Sequence, residues 1–250
     1  MSTTGRFAGQ TAVVTGGTRG IGRAITKALL AEGATVWASF QGNEAAAEAL
    51  KAECAAHAER LHTSKFAVGD YAACEAFWTM LETNAPNGVQ ILVNNAGIRR
   101  DQIVGMMTPE QWNEVLQTNL AGSFYMSKFA TLAMMRKRYG RIVMVTSPAG
   151  AHGFQGQANY SASKAGQIGL MRSLAREVGK RKITVNCVSP GFIDTELIAD
   201  LPEEIKKEHL AMVPVGRFGS ADEVAWAVLM LCAREAAYIH GTTLEVTGGI

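Results

Sequence analysis

A tyrosine and a lysine four residues apart, Tyr160 and Lys164, form the pair whose spacing most directly suggests chemistry. In a helix, side chains at this spacing lie on one face. A phenol ordinarily titrates near about pH 10, so work as an acid or base near neutrality requires a shift of about three units, or roughly 4 kcal/mol. A neighbouring ammonium favours the phenolate and supplies part of that shift. Ordinary helix surfaces also produce this spacing, so its context must decide.

Two further polar residues provide that context. Ser147 follows the apolar strand predicted for residues 142–146, and open α/β sheets present functional groups at the carboxyl ends of their strands. Asn119 lies within a long helix predicted for residues 110–137. Each also has a structural interpretation: Ser147, followed by Pro148, would cap a turn, and Asn119 would be a buried amide satisfied by a carbonyl or water.

Three glycines, Gly16, Gly20 and Gly22, stand between a strand predicted for residues 11–15 and a helix that runs to about residue 32. A dinucleotide pyrophosphate needs a tight turn, close backbone approach and unpaired N–H groups at a helix N-terminus. The G-x-x-x-G-x-G spacing differs from the usual G-x-G-x-x-G, and a purely structural turn is the alternative. The preceding strand and following helix favour a dinucleotide site.

The residues around this loop indicate which dinucleotide binds. Arg19 lies inside the loop, and residues 34–43 at the second strand contain no acidic side chain. An Asp or Glu there would bind the ribose hydroxyls of NAD and repel a 2′-phosphate, whereas an arginine neutralises that phosphate. The pattern predicts NADPH; the alternative for Arg19 is a solvated surface charge.

Short β-branched runs alternate with helical stretches along the whole sequence, which predicts an α/β fold: a single Rossmann-like, doubly wound domain, residues 1–250, with a seven-stranded parallel sheet. Thr108 and Ser220 are each followed three residues later by a Gln or Glu, which is the spacing of a helix-capping box. Residues 190–219 form the longest stretch without a strand pattern, and we predict a substrate lid there. The predicted strands are residues 11–15, 35–40, 61–68, 90–93, 141–146, 183–188 and 243–247.

The composition restricts the function class. Lys and Arg number 24 against 22 Asp and Glu, a balance that does not favour a nucleic-acid or membrane-surface partner. The four cysteines show neither a C-x-x-C pair nor a nearby histidine cluster, so we expect reduced thiols in the cytoplasm and no metal site. The N-terminus lacks an apolar signal core, and the longest apolar run, residues 224–233, is about half a membrane span.

Taken together, these segments make the chain resemble the short-chain dehydrogenase/reductases. Ser147 precedes Tyr160 by the interval that this family requires. The residues that carry the resemblance are the loop at residues 15–22, Asn94-Asn95-Ala96-Gly97 after the fourth strand, Asn119, Ser147, Tyr160, Lys164 and Pro190-Gly191 after the sixth strand.

The resemblance implies a reductase mechanism. Tyr160 would protonate the substrate carbonyl oxygen, Ser147 would hydrogen-bond it, Lys164 would hold the nicotinamide ribose and lower the tyrosine pKa, and Asn119 would fix a relay water. Where many relatives bind adenine through Asp or Asn, this chain has Ala67, and Asp70 is better interpreted as a helix cap. The implied cofactor-binding residues are Gly16, Thr18, Arg19, Gly20, Ile21, Gly22, Gln41, Val68, Asn95, Ala96, Gly97, Tyr160, Lys164, Pro190, Gly191, Ile193 and Thr195.

Within the family, the chain is most similar to the 3-oxoacyl-[acyl-carrier-protein] reductases, over residues 95–101, 134–142, 172–186 and 190–195. That likeness implies reduction of a 3-oxoacyl thioester, an acidic carrier protein contacted by Arg138 and Arg181, and a homotetramer. Plain solubility is the alternative role for both arginines, and Pro148 departs from the family pattern beside the substrate wall. A reductase of acetoacetyl-CoA or of a small ketone would need the same catalytic residues. A redox-inert NADPH-binding subunit would lack one of Ser147, Tyr160 and Lys164, and all are present.

Overall fold

The computed structural model describes residues 5–196 and 202–250. The strands of its main sheet are β1 (Thr11–Val14), β2 (Thr35–Phe40), β3 (Leu61–Lys65), β4 (Ile91–Asn94), β5 (Gly140–Val145), β6 (Ile183–Pro190) and β9 (Thr243–Val246). These seven strands are parallel and lie in the order β3-β2-β1-β4-β5-β6-β9, which confirms the predicted fold class. β3 ends at Lys65, earlier than predicted.

The central strands are buried along their whole length because helices cover both faces of the sheet. The helices in the described part are α1 (Gly20–Ala31), α2 (Glu44–Glu53), α3 (Tyr71–Asn84), α4 (Pro109–Leu116), α5 (Gly122–Lys137), α6 (Ala149–His152), α7 (Ala158–Val178), α8 (Glu203–Ala211) and α9 (Ala221–Cys232). One hydrophobic core contains side chains of α1 and α9, such as Leu29 and Val228. The second contains side chains of α3, α5 and α7, such as Phe77, Met126 and Met171.

The strand order reverses between β1 and β4, which are paired neighbours. After β1 the chain builds β2 and β3 on one side, then returns to place β4 on the other. The loops that leave β1 and β4 therefore separate and open a crevice at the carboxyl edge, the place where open α/β sheets bind ligands.

Helix starts follow the predicted capping residues. Thr108 and Ser220 each form a capping box, with Gln111 and Glu223 respectively, and the Asp70 carboxylate accepts a hydrogen bond from the Ala73 N–H. These short-range bonds satisfy backbone donors that lack a partner within the helix.

Two predicted segments differ in detail. The helix expected for residues 110–137 is divided by a π-helical segment, Gln117–Ala121, between α4 and α5. The segment predicted as a lid contains two short strands, β7 (Ile193–Asp194) and β8 (Gly219–Ser220), which pair in parallel, and also α8; residues 197–201 lie outside the described part. Within the described ranges, no helix has the length and apolar character needed to cross a membrane.

Candidate active site

The loop after β1 has the backbone geometry that its glycines predict. Gly16 has a φ of +60°, a conformation that is strained for residues with a Cβ. A Cβ on Gly22 would lie 2.1 Å from the Gly16 carbonyl oxygen, so only glycine allows the first turn of α1 to approach the loop. Thr18 is buried within the loop, and Ile21 packs against the core.

The N-terminus of α1 suits an anion. Its N-cap residue is Arg19, whose side chain makes no capping hydrogen bond, and free N–H groups at a helix start attract phosphate. The Gly17 N–H donates to the Ser39 carbonyl at 3.0 Å, which brings the loop beside the end of β2. The Arg19 side chain is 60 % exposed, and its nearest acidic partner, Glu196, is 4.0 Å away. Arg19 is therefore available to an incoming phosphate.

Thr15 and Asn95 brace this loop, a role that the sequence analysis did not assign. The Thr15 hydroxyl accepts hydrogen bonds from the Asn95 and Ala96 N–H groups, both at 3.0 Å. The Asn95 amide donates to the carbonyls of Thr15 and Gly16, also at 3.0 Å. The Asn95 side chain thus holds the two walls of the crevice together.

Other predicted cofactor residues border the same edge. Gln41 is exposed immediately after β2, and Val68 is buried, with its side chain against Gly122. Pro190 ends β6, Gly191 packs against Thr247, and Ile193 is buried in β7. The methyl group of Thr195 would lie 3.9 Å from a Cβ on Gly20, so residues after β6 reach the glycine-containing loop at residues 15–22, here called the phosphate loop.

Asn119 lies fully buried in the π-helical segment. Its side chain accepts from the Ile98 N–H at 2.8 Å and donates to the Ile98 carbonyl at 3.0 Å and to the Ser163 hydroxyl at 3.1 Å. Gln167 of α7 donates to the Asn119 carbonyl at 3.0 Å. Asn119 therefore fixes the loop after β4 against α7, and π-segments of this kind often occur at functional sites.

Tyr160 and Lys164 lie one helical turn apart at the start of α7, as predicted, and the Lys164 ammonium is 5.4 Å from the centre of the Tyr160 ring. Ser147 follows β5, and its hydroxyl oxygen accepts from the Ala149 N–H at 3.2 Å. The Thr146 hydroxyl donates to the Lys164 carbonyl at 3.1 Å, so the end of β5 is attached to α7. A Cβ on Gly97 would be 3.7 Å from the Lys164 ammonium nitrogen. The structure thus gathers the four predicted catalytic residues at one edge.

Lys164 is a buried cation with few partners. Its ammonium donates to the Val145 carbonyl at 2.8 Å and to the Gln167 amide oxygen at 3.2 Å. Burial lowers the pKa of Lys164 to about 8, because water no longer stabilises the charged form. An ammonium has three donors, and among the described residues two are used. The third suits a hydroxyl of a bound ligand.

The environment of Tyr160 acts on its pKa in both directions. Burial has the largest effect and raises the pKa, and the negative charge of Asp101 also raises it. The positive charge of Arg99 and the hydrogen bond with the Ser147 hydroxyl lower the pKa. The Arg99 guanidinium carbon lies 6.0 Å from the centre of the phenol ring. The structure thus adds a second cation to the predicted pair.

The two predicted carrier-contact arginines lie elsewhere in the chain. Arg138 caps the end of α5 just before β5, and Arg181 lies just before β6. The first residues of β5 and β6, Gly140 and Ile183, pair with each other, so both arginines are at the amino edge of the sheet. At about 3.3 Å per residue, a six-residue strand separates this edge from Ser147 by roughly 20 Å. A single chain does not bring these arginines to the catalytic residues.

The donor groups of this edge match the parts of a nicotinamide dinucleotide. The glycine turn and the open start of α1 suit the pyrophosphate, and the spare Lys164 donor suits a ribose hydroxyl. Since the loops that follow β1 and β4 leave the sheet in different directions here, one crevice offers both features.

Comparison with known proteins gives the same assignment. The chain is 46% identical over 244 residues to the 3-oxoacyl-[acyl-carrier-protein] reductase FabG of Escherichia coli (strain K12), covering 98% of each chain. It is 41% identical over 246 residues to the FabG of Aquifex aeolicus (strain VF5), again covering 98% of each. It is also 43% identical over 239 residues to an acetoacetyl-CoA reductase of Shinella zoogloeoides, covering 95% of this chain and 97% of that one.

The family comparison covers most of the fold described above. Residues 10–206 match the short chain dehydrogenase family, and this range includes the phosphate loop, Asn119, Ser147, Tyr160 and Lys164. The arrangement at the carboxyl edge, the close relatives and the family match lead to one conclusion: the chain belongs to the short-chain dehydrogenases, oxidoreductases that use a nicotinamide dinucleotide.

Proposed function

We propose that the protein reduces a 3-oxoacyl thioester, carried on acyl carrier protein, to the 3-hydroxyacyl thioester with NADPH. The observation that carries this proposal is the Tyr160 phenol, placed with Ser147 and Lys164 at the carboxyl edge beside the dinucleotide crevice. Reduced nicotinamide, when bound, supplies a hydride to C3 of the substrate. The protein supplies the proton that the carbonyl oxygen then needs.

Each residue contributes a separate part of that proton transfer. The Ser147 hydroxyl donates a hydrogen bond to the substrate carbonyl oxygen, and Tyr160 gives this oxygen its proton. Lys164 holds a ribose hydroxyl and favours the phenolate that forms. Asn119 fixes the loop after β4, and its Oδ1, which accepts one bond from Ile98, retains a position for a relay water.

We infer NADPH rather than NADH from Arg19. Arg19→Ala is expected to raise the KM for NADPH by about tenfold to a hundredfold, because a charge-assisted bond to the 2′-phosphate is lost. The KM for NADH should change by less than about twofold, since NADH lacks that phosphate. Steady-state kinetics with both cofactors measures the difference.

Arg23→Ala is the matched control, because Arg23 lies on the same helix but is bound to Glu53. It should leave the ratio of the two KM values unchanged. An equal loss for NADPH and NADH in Arg19→Ala would contradict the phosphate contact.

The carrier-protein contact requires a second copy of the chain. Arg138 and Arg181 lie at the amino edge of the sheet, so they can border a catalytic site only if a neighbouring subunit packs beside it. Exposed apolar side chains support an assembly: Phe124 and Leu132 on α5 are 47% and 51% exposed, and Trp226 on α9 is 67% exposed. We therefore propose a homotetramer whose α5 and α9 faces are covered.

The acyl carrier is tested by comparing acetoacetyl groups on acyl carrier protein, on CoA and on a small soluble thioester. We expect the highest kcat/KM with the carrier protein, and a loss of about tenfold in Arg138→Glu and Arg181→Glu for that substrate alone, because the reversed charge repels an acidic carrier. NADPH oxidation at matched substrate concentration is the measurement.

Arg136→Glu is the control, because Arg136 belongs to the same helix end but is paired with Glu82 at 3.0 Å. Equal kcat/KM values for the three acyl carriers would favour a CoA-thioester or small-ketone reductase. The 43% identity to an acetoacetyl-CoA reductase supports the CoA-thioester reductase as the second candidate function.

The remaining proposals concern the whole chain. We place the protein in the cytoplasm as one domain, residues 1–250, with residues 190–219 closing over substrate. The position of β7 and Thr195 beside the phosphate loop supports a lid that responds to the bound dinucleotide.

A further inference from the structure

Arg99 is a charged residue at the active site to which the family resemblance gives no role. It lies in the loop after β4, and its guanidinium carbon is 6.0 Å from the centre of the Tyr160 ring. The side chain is 38% exposed, so its charge is only partly screened by water.

The position of Arg99 is fixed by its neighbours. Its Nε donates to Asp101 at 3.2 Å, and its terminal nitrogen donates to the other carboxylate oxygen, so the two side chains form a forked ion pair. Gln157, the residue before α7, donates to Asp101 at 3.2 Å. Asn119 binds both backbone polar groups of Ile98, the residue before Arg99. The guanidinium is therefore held in place from α7 and from the π-helical segment.

We propose that Arg99, oriented by Asp101, is a second cationic positioning residue for the proton donor Tyr160, in addition to Lys164. This inference rests on the proposed function, because it assumes that Tyr160 exchanges a proton with substrate.

The charges of the two cations, Lys164 and Arg99, depend differently on pH. Lys164 is buried and has its pKa lowered to about 8, so its charge is lost as the pH rises through that value. Arg99 stays charged, since its bond to Asp101 raises a pKa that is already very high. Above about pH 8, Arg99 is thus the permanent positive charge beside the phenol.

The charged and titratable groups around Tyr160 come from several elements. The loop after β4 contributes Arg99 and Asp101, and α7 contributes Lys164. His209 lies on α8. Burial lowers the pKa of His209, and the positive charge of the Arg99 guanidinium lowers it further. Burial raises the pKa of Tyr160 and Arg99 lowers it, the direction that its position predicts.

The test uses the reverse reaction, oxidation of a 3-hydroxybutyryl thioester by NADP⁺. The alcohol proton passes to the Tyr160 phenolate while hydride passes to NADP⁺, so the rate rises with pH as the phenolate forms. Arg99→Gln removes a cation, which disfavours the phenolate. We expect the rising limb of the plot of kcat against pH to shift to higher pH by about one unit. At a fixed pH on this limb, the rate is then about tenfold lower.

Two related variants sharpen the result. Arg99→Lys retains the charge and should leave the limb within about a third of a pH unit of the parent protein. Asp101→Asn removes an anion but retains a hydrogen-bond acceptor for Arg99, so the limb of this variant should shift to lower pH. Arg100→Gln is the matched control: Arg100 is adjacent in the loop but is bound to Glu114 at 2.8 Å, and this variant should not move the limb.

A second measurement keeps this inference separate from the proposed function. The phenolate of Tyr160 can be titrated by ultraviolet absorbance in the NADP⁺ complex, with Tyr160→Phe as the blank, and Arg99→Gln should move that titration upward without any turnover. The inference is wrong if Arg99→Gln leaves both the limb and the titration in place, or if Arg99→Lys moves them as far as Arg99→Gln. Retained turnover in Tyr160→Phe would instead overturn the proposed function.

Discussion

Tyr160→Phe is expected to lower kcat for reduction of a 3-oxoacyl thioester by about a thousandfold or more, because positioned general acids contribute roughly 10² to 10⁴ in rate. The phenylalanine ring keeps the contacts of the aromatic ring with Lys164 and Arg99 but has no proton to give. NADPH affinity should stay within about twofold, since the change removes one hydroxyl from the cofactor crevice. Stopped-flow kinetics and NADPH fluorescence titration measure the two quantities.

Tyr139→Phe provides the matched control. Tyr139 lies just before β5, at the edge of the sheet opposite Ser147, beside Arg141 and Arg234. Its loss should leave kcat unchanged. If Tyr160→Phe retained turnover within tenfold of the parent protein, the proton would have to come from another group.

Lys164→Met is expected to abolish turnover while it stabilises the fold. The pKa of Lys164 is about 8 in the folded protein, against about 10.4 in an unfolded chain, so folding disfavours the charged form. Below about pH 8 the folded protein carries the full cost of a poorly solvated charge, roughly 3 kcal/mol, which disappears as the pH rises towards about 10.4. Methionine removes this cost but loses the bonds to Val145 and Gln167. We expect a gain of about 2 kcal/mol at neutral pH.

Chemical denaturation across the pH range checks both the sign and its pH dependence. The stability gain of Lys164→Met over the parent protein should shrink above about pH 8, vanish between about pH 9 and pH 10, and become a loss of about 1 kcal/mol at higher pH, where only the lost bonds count. Lys51→Met, a change at an exposed lysine paired with Glu48, should show no such dependence. A destabilised Lys164→Met at neutral pH would show that the lysine bonds outweigh its desolvation.

Much of the fold could be predicted because its signals are local. Runs of β-branched residues between helical stretches indicated the seven strands, and the capping residues Thr108 and Ser220 fixed two helix starts. The glycine loop was recognisable because Gly16 and Gly22 meet requirements set by the loop itself. Tyr160 and Lys164 were placed together correctly since helical spacing alone determines their shared face.

The parts that sequence analysis missed depend on contacts between distant segments. Thr15 braces Asn95 across 80 residues of chain, and nothing near Thr15 predicts that bond. The π-helical segment at Asn119 inserts an irregularity that a 3.6-residue apolar pattern does not reveal, because Gln167 and Ile98 stabilise it from elsewhere. Arg99 likewise meets Tyr160 only after α7 packs against the loop following β4.

The position of the two carrier-contact arginines shows a different kind of gap. A residue just before a strand lies at the amino edge of a parallel sheet, so the predicted topology already separated Arg138 and Arg181 from Ser147. Their similarity to family positions implied a contact near the site, which a single chain does not provide. The two statements agree only in an assembly.

The most direct test of the proposed function is to follow the transferred hydride. The protein is incubated with acetoacetyl-acyl carrier protein and NADPH carrying deuterium at the transferable C4 position, and the product is analysed by mass spectrometry. We predict one deuterium at C3 of the 3-hydroxybutyryl group for each NADPH oxidised, and about a thousandfold less product in the same time with Tyr160→Phe. Absence of deuterium from C3, or NADPH oxidation without a 3-hydroxyacyl product, would contradict the assignment of a 3-oxoacyl reductase.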